Sequence, residues 1–121
     1  MKHTEYEEQC KVVEYLRKVH PDVLFTASIA GHVKMTIPQW KRAVKAGYTK
    51  GTPDLMIFAR GIDDGILYNV LFIEMKTKGG KLSKYQDAFL ENALSRNYLC
   101  AVCNGYDSAV CVINKYLRGT L

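Results

Sequence analysis

With 121 residues, 48% of them hydrophobic and 24% charged, the chain has the size and composition of one soluble globular domain that can bury a core without metal or disulfide staples. No apolar run approaches eighteen residues, which excludes a membrane-spanning helix, and the opening MKHTEYEEQC has no apolar signal core, so a cytoplasmic location is expected. The net charge of +5 favours a polyanionic partner without identifying one.

Residues 4–19 have the periodicity of an amphipathic helix, with Gln9, Val12, Val13, Leu16 and Val19 on one stripe. Thr4 is its predicted cap, and Glu7 three positions on completes a capping box. Glu5, Glu8 and Gln9 lie on or beside the apolar stripe at the N-terminal end. A carboxylate there can reach over a sheet edge, or can simply complement the helix dipole. His20-Pro21 ends the helix, and residues 23–29, VLFTASI, alternate as a strand. His32, in the irregular segment that follows, reads as an ordinary loop residue. Pro38 starts a second helix and Gly47 closes it. Trp40, Ala43 and Val44 are expected to pack inward, with Lys41, Arg42 and Lys45 outward.

Residues 51–76 carry the chemistry. GTPDLMIFAR and VLFIEMK read as two strands of a hairpin, joined through the turn-forming Gly61, Asp63, Asp64 and Gly65. Gly51 permits a tight turn where a ligand would approach, and Pro53 starts its strand without needing a donor. Asp54 sits at the mouth of the first strand. Glu74 and Lys76, two apart, share a face of the second, while Met75 points into the opposite layer. Two carboxylates beside an amine form a pocket for a hard divalent cation, Mg²⁺ or Mn²⁺, which prefers oxygen ligands. Lys41, Arg42, Lys45 and Lys50 precede this centre, and Lys76, Lys78, Lys81 and Lys84 follow it. That distribution suits a metal that must meet a phosphate backbone, with Lys45, Lys50, Lys78 and Lys81 as the expected contacts.

Ser83 caps a predicted helix to about residue 97, with Tyr85, Phe89, Leu90, Ala93 and Leu94 on its apolar face and Gln86 in its first turn. Residues 98–104 follow as a strand, and Asp107 or Ser108 is expected to cap a last helix to about Arg118. The predicted order is helix, strand, helix, two strands, helix, strand, helix. Cys10, Cys100, Cys103 and Cys111 read as buried reduced thiols. Cys100 and Cys103, three apart on a strand, face opposite sides and cannot jointly grip one ion.

Pro53-Asp54, the link of twenty positions to Glu74, and Glu74-Met75-Lys76 resemble the PD-(D/E)xK nuclease signature. Within that superfamily the chain resembles the small stand-alone VRR-NUC domains. It shares with them Gly51-Thr52-Pro53-Asp54-Leu55, Phe72-Ile73-Glu74-Met75-Lys76, a basic loop leading to Gln86, and an N-terminal helix with Glu5 and Gln9. The resemblance covers nearly the whole chain. It implies a restriction-endonuclease-like α/β fold, a central mixed sheet flanked by helices, over residues 1–121 as one domain. It further implies a cation held by Asp54, Glu74 and the Met75 carbonyl, with Lys76 activating the attacking water. Glu5 or Glu8 would assist metal or water binding, and Gln86 would make a polar contact near the site. The expected activity is metal-dependent, structure-selective DNA cleavage by a homodimer, on branched or four-way junction DNA, in a bacterial or phage-infected cell. A flap or restriction-type nuclease and a catalytically inactive DNA-binding module are the alternatives.

Overall fold

The computed structural model describes residues 4–77 and 79–119, and Lys78 lies outside that range. In chain order the elements are α1 (Glu5–Val19), β1 (Phe25–Ala27), α2 (Ile37–Lys45), β2 (Leu55–Ile57), β3 (Gly61–Asp63), β4 (Ile66–Tyr68), β5 (Leu71–Lys76), α3 (Lys84–Ser95), β6 (Leu99–Asn104) and α4 (Tyr106–Arg118). The fold is α/β: a mixed four-stranded sheet of order β1-β2-β5-β6, flanked by helices. β1, β2 and β5 are antiparallel neighbours, whereas β5 and β6 run parallel. A parallel pair needs a crossover, and α3 provides it.

The pleat sorts β5 into two faces. Leu71, Ile73 and Met75 are buried in the core with Val12 and Leu16 of α1, Leu55 and Ile57 of β2, and Ala109, Ile113 and Tyr116 of α4. Phe72 lies on the other face and meets Phe89 of α3 edge-on, ring centroids 5.8 Å apart. Glu74 and Lys76 fall on that second face by alternation, as the sequence predicts.

Four expectations are corrected here. The link between β2 and β5 is not a simple turn. It forms a separate two-stranded sheet, β3 with β4, whose bend is Asp64 at φ 48° and Gly65 at φ 76°. Two successive positive φ values are what a tight two-residue hairpin requires. α2 packs differently from the prediction, burying no residue, with Val44 56% exposed. α4 is capped by neither Asp107 nor Ser108: its N-cap is Gly105, which has no side chain to offer. The cysteines are free, but Cys10 and Cys111 are exposed and only Cys103 is buried.

Gly51, at φ +92°, lines a cleft beside Asp54 and is also required by packing. A Cβ there would lie 2.8 Å from the Gln86 amide nitrogen and closer still to the Tyr85 carbonyl, so the loop before β2 rests directly on the backbone of α3.

Candidate active site

The antiparallel register pairs Leu55 with Ile73 and Met56 with Phe72. Continued by one step, it sets Asp54 across from Glu74, just beyond the end of β2. The Met75 amide donates to Asp54 Oδ2 at 2.7 Å, which fixes the carboxylate against β5. In a strand the N–H and C=O of one residue point to the same side. The Met75 carbonyl is therefore directed to the Asp54 side too, past the last β2 pairing.

α3 completes the arrangement. Ser83 and Gln86 form a capping box: Ser83 Oγ accepts from the Gln86 amide, and Gln86 Oε1 accepts from the Ser83 amide at 2.9 Å. The same Oε1 accepts from Lys76 Nζ at 3.0 Å, while Gln86 Nε2 donates to Glu74 Oε1 at 2.6 Å. With two donors converging on one end of the amide, its nitrogen must face Glu74. A single glutamine thus closes the helix end and holds both Glu74 and Lys76 of β5.

Glu74 is 2% exposed, and its Oε2 has no hydrogen-bond partner among the described residues. Burial, then the neighbouring Asp54 carboxylate, push its pKa up to about 8, against the opposing pull of Lys76. Burial first, and then the charge of Glu74, also raise the Tyr48 phenol. The two carboxylates face a cleft of about 750 Å³ whose lining includes Trp40, Tyr48, Lys50, Tyr85 and Gln86.

This donor set fits a hard divalent cation. A positive ion would neutralise two close carboxylates, engage the unpartnered Glu74 oxygen and use the Met75 carbonyl. Among the described residues no group of three or more His, Cys, Asp and Glu side chains gathers. Mg²⁺ commonly takes only one or two carboxylates, filling its remaining positions with water and substrate phosphate.

The other predicted residues scatter. Glu8 Oε1 accepts from the Tyr106 amide at 3.1 Å, and Oε2 lies 3.4 Å from Lys11 Nζ. Glu8 therefore caps α4 in place of the side chain that Gly105 lacks, and it does not line the cleft. Glu5 is half-buried in the first turn of α1, likewise outside the cleft lining. Gln9 is buried, with Oε1 3.0 Å from His32 Nε2. Lys50 lines the cleft, its ammonium 4.3 Å from the Tyr85 ring centroid; Lys45 and Lys81 are exposed and outside it. Trp40, Tyr48 and Tyr85 also line the cleft and were not among the expected site residues; Trp40 and Tyr85, at helical spacing, read first as core.

Losing a helix cap costs about 0.5–2 kcal/mol. Glu8→Ala is accordingly expected to lower the melting temperature measured by circular dichroism while leaving single-turnover cleavage unchanged. A large rate loss at unaltered stability would return Glu8 to the reaction.

The family model for the VRR-NUC domain matches residues 4–107. The chain belongs to the VRR-NUC domain family. This is a nuclease-type family, and the match spans every site residue described above. A solved structure titled "VRR_NUC domain protein" superposes with a TM-score of 0.78 at 23% identity, covering 98% of this chain and 92% of that one. At that identity the likeness supports the fold alone. No curated protein matches the chain. No helix among the described residues is long and apolar enough to cross a membrane.

Proposed function

We propose that this VRR-NUC domain is a metal-dependent endonuclease that hydrolyses DNA phosphodiester bonds at the Asp54–Glu74 pair. The observation that carries the reading is the buried Glu74 carboxylate, with one oxygen unpartnered and its pKa pushed up to about 8 beside Asp54. A fold gains nothing in stability from such a group, and perturbed carboxylates in a cleft are a mark of functional sites. Mg²⁺ or Mn²⁺ would be held by Asp54, Glu74 and the Met75 carbonyl. When bound, the cation supplies Lewis-acid polarisation of the phosphate and a lower pKa for the attacking water.

The chain's own residues do the rest. Asp54 and Glu74 bring the negative charge that localises the cation, and the Met75 amide keeps Asp54 oriented. Lys76, held by Gln86, offers its ammonium to the phosphoryl oxygens and orients the water for in-line attack. Gln86 is a positioning residue, since it acts through Lys76 and Glu74. Lys50 at the cleft, with the exposed Lys45 and Lys81, supplies positive charge for the backbone flanking the cut. Lys78 joins this proposal on sequence grounds. Glu5 stands as an outlying carboxylate, and Glu8 is assigned to the helix cap. The products would carry 5′-phosphate and 3′-hydroxyl ends.

Structure-selective cutting, including resolution of four-way junctions, is the finer form of the proposal. A two-fold dimer would supply two sites with the symmetry of the junction arms. Tyr116 is 2% exposed, its hydroxyl donating to the carbonyls of Ala59 and Tyr68, so it could not contribute to such a dimer surface. The test is a panel of linear, flapped, nicked and four-way DNA, cut by protein whose mass in solution has been measured by light scattering. Paired symmetric incisions by a species of twice the 13.7 kDa chain mass are expected. A monomer that cuts flaps but not junctions would leave the nuclease and remove the resolvase.

A further inference from the structure

The fold leaves three aromatic side chains unexplained. α2 buries no residue, yet it carries Trp40, whose ring packs against Tyr48 at 5.6 Å with the planes tilted by 48°. Tyr85, in the first turn of α3, is 41% exposed. None of the three belongs to the hydrophobic core or the shell packed on it. All three line the same cleft as Asp54 and Glu74.

We infer that this cleft holds an unpaired nucleobase of the strand being cut, stacked against the Trp40–Tyr48 pair, with Tyr85 lining the same cleft, while its phosphate lies at the two carboxylates. The inference rests on the nuclease reading and adds a substrate class to it: strands with an unstacked nucleotide at the cleavage position.

Three observations converge on a base as the occupant. The volume, about 750 Å³, is within the roughly 300–1,000 Å³ of small-molecule clefts, which admits a nucleotide. Room is kept on the lining by small residues, Ser28, Ala30 and Gly31, and a Cβ built on Gly31 would meet nothing within 4 Å. Charge is matched as well. Lys50 lies over the Tyr85 ring and Lys84 Nζ lies 5.2 Å from the same centroid, so Tyr85 gathers two cations that can meet the phosphates flanking the base. Aromatic faces interleaved with lysines are the means by which single-stranded nucleic acid is held without reading its sequence. A paired substrate would first have to extrude the nucleotide, which costs unstacking and unpairing energy. Bulged, flapped or single-stranded positions escape that cost.

The test uses a single-stranded oligonucleotide carrying one 2-aminopurine, its fully paired duplex, and, as a competitor that displaces the labelled strand, the same strand with an abasic site replacing the probe. Binding is followed by fluorescence in EDTA, and cleavage is followed separately in Mg²⁺. Quenching of the single-stranded probe is expected, with roughly ten-fold weaker binding for the abasic strand and for Trp40→Ala, and no further loss when the two are combined. Tyr48→Phe keeps its ring and should keep the quenching. If Trp40→Ala fails to fold, the abasic comparison on the parental protein still decides. Equal affinity for the duplex, the single strand and the abasic strand would overturn the inference, even with cleavage intact. Quenching without cleavage of any substrate would support the pocket and sink the nuclease reading instead.

Discussion

Glu74→Gln is expected to abolish cleavage and, in the metal-free protein, to make the fold more stable above neutral pH. The substitution keeps the shape and still offers an oxygen to Gln86, but it removes half the charge that would hold a cation. The single-turnover rate should fall by at least roughly a hundred-fold, typical for loss of a preorganised electrostatic group. The stability effect follows from proton linkage. Burial and Asp54 raise the folded pKa of Glu74 from 4.5 to about 8, so across that window the native state binds more protons than the unfolded chain. Metal-free stability is therefore full below about pH 4.5 and is lost as pH rises toward 8 and beyond, by an amount on the order of a few kcal/mol. Urea denaturation between pH 5 and 9 should show this decline in the parental protein and not in Glu74→Gln. Saturating Mg²⁺ should suppress it in the parent. Parallel pH profiles for the two proteins would mean that Glu74 does not carry the buried charge assigned to it.

Lys76→Ala should separate binding from chemistry. Its ammonium is hydrogen-bonded to Gln86 and lowers the Glu74 pKa, so the residue has two electrostatic roles. Losing the cation at the transition state is expected to cost about 2–4 kcal/mol, or roughly 10²- to 10³-fold in single-turnover rate. Lysine is no metal ligand, so Mg²⁺ binding should survive. With Lys76 gone, however, Glu74 holds its proton more tightly, and calorimetric Mg²⁺ affinity should need a higher pH to reach the parental value. A variant that cut at the parental rate would exclude Lys76 from the reaction.

These effects depend on residues that were readable in the sequence to different degrees. The shared face of Glu74 and Lys76 was legible because strand alternation is local once β5 is recognised, whereas the place of Asp54 across from Glu74 depends on the pairing of β2 with β5. The capping box at Thr4–Glu7 was legible for the same reason, since it closes within four residues; at Ser83 only the cap was read, and the box at Thr36–Gln39 was not. That Gln86 also reaches both Glu74 and Lys76 is a tertiary fact, which the sequence suggested only through family resemblance. Glu8 went astray because its partner, the Tyr106 amide, is 98 positions away, and no periodicity shows that α4 begins on a glycine and must borrow a cap. α2 misled in the opposite sense. Its spacing is that of a core-facing helix, but its Trp40 side lines a cleft, and amphipathicity reports an apolar face without saying what covers it. The β3–β4 hairpin was hidden by its shortness: three-residue strands carry too little alternation to stand out from a turn.

The most direct measurement of the central claim is single-turnover cleavage of a labelled DNA strand by the purified protein in Mg²⁺ and in EDTA, run beside Asp54→Asn. Asp54→Asn retains an oxygen to accept from the Met75 amide, so the fold should stand while the cation loses a ligand. Cleavage to 5′-phosphate ends in Mg²⁺, none in EDTA and none with Asp54→Asn is the predicted result. Equal cutting in EDTA, or cutting by Asp54→Asn at the parental rate, would contradict the assignment of the Asp54–Glu74 pair as the metal centre of a nuclease.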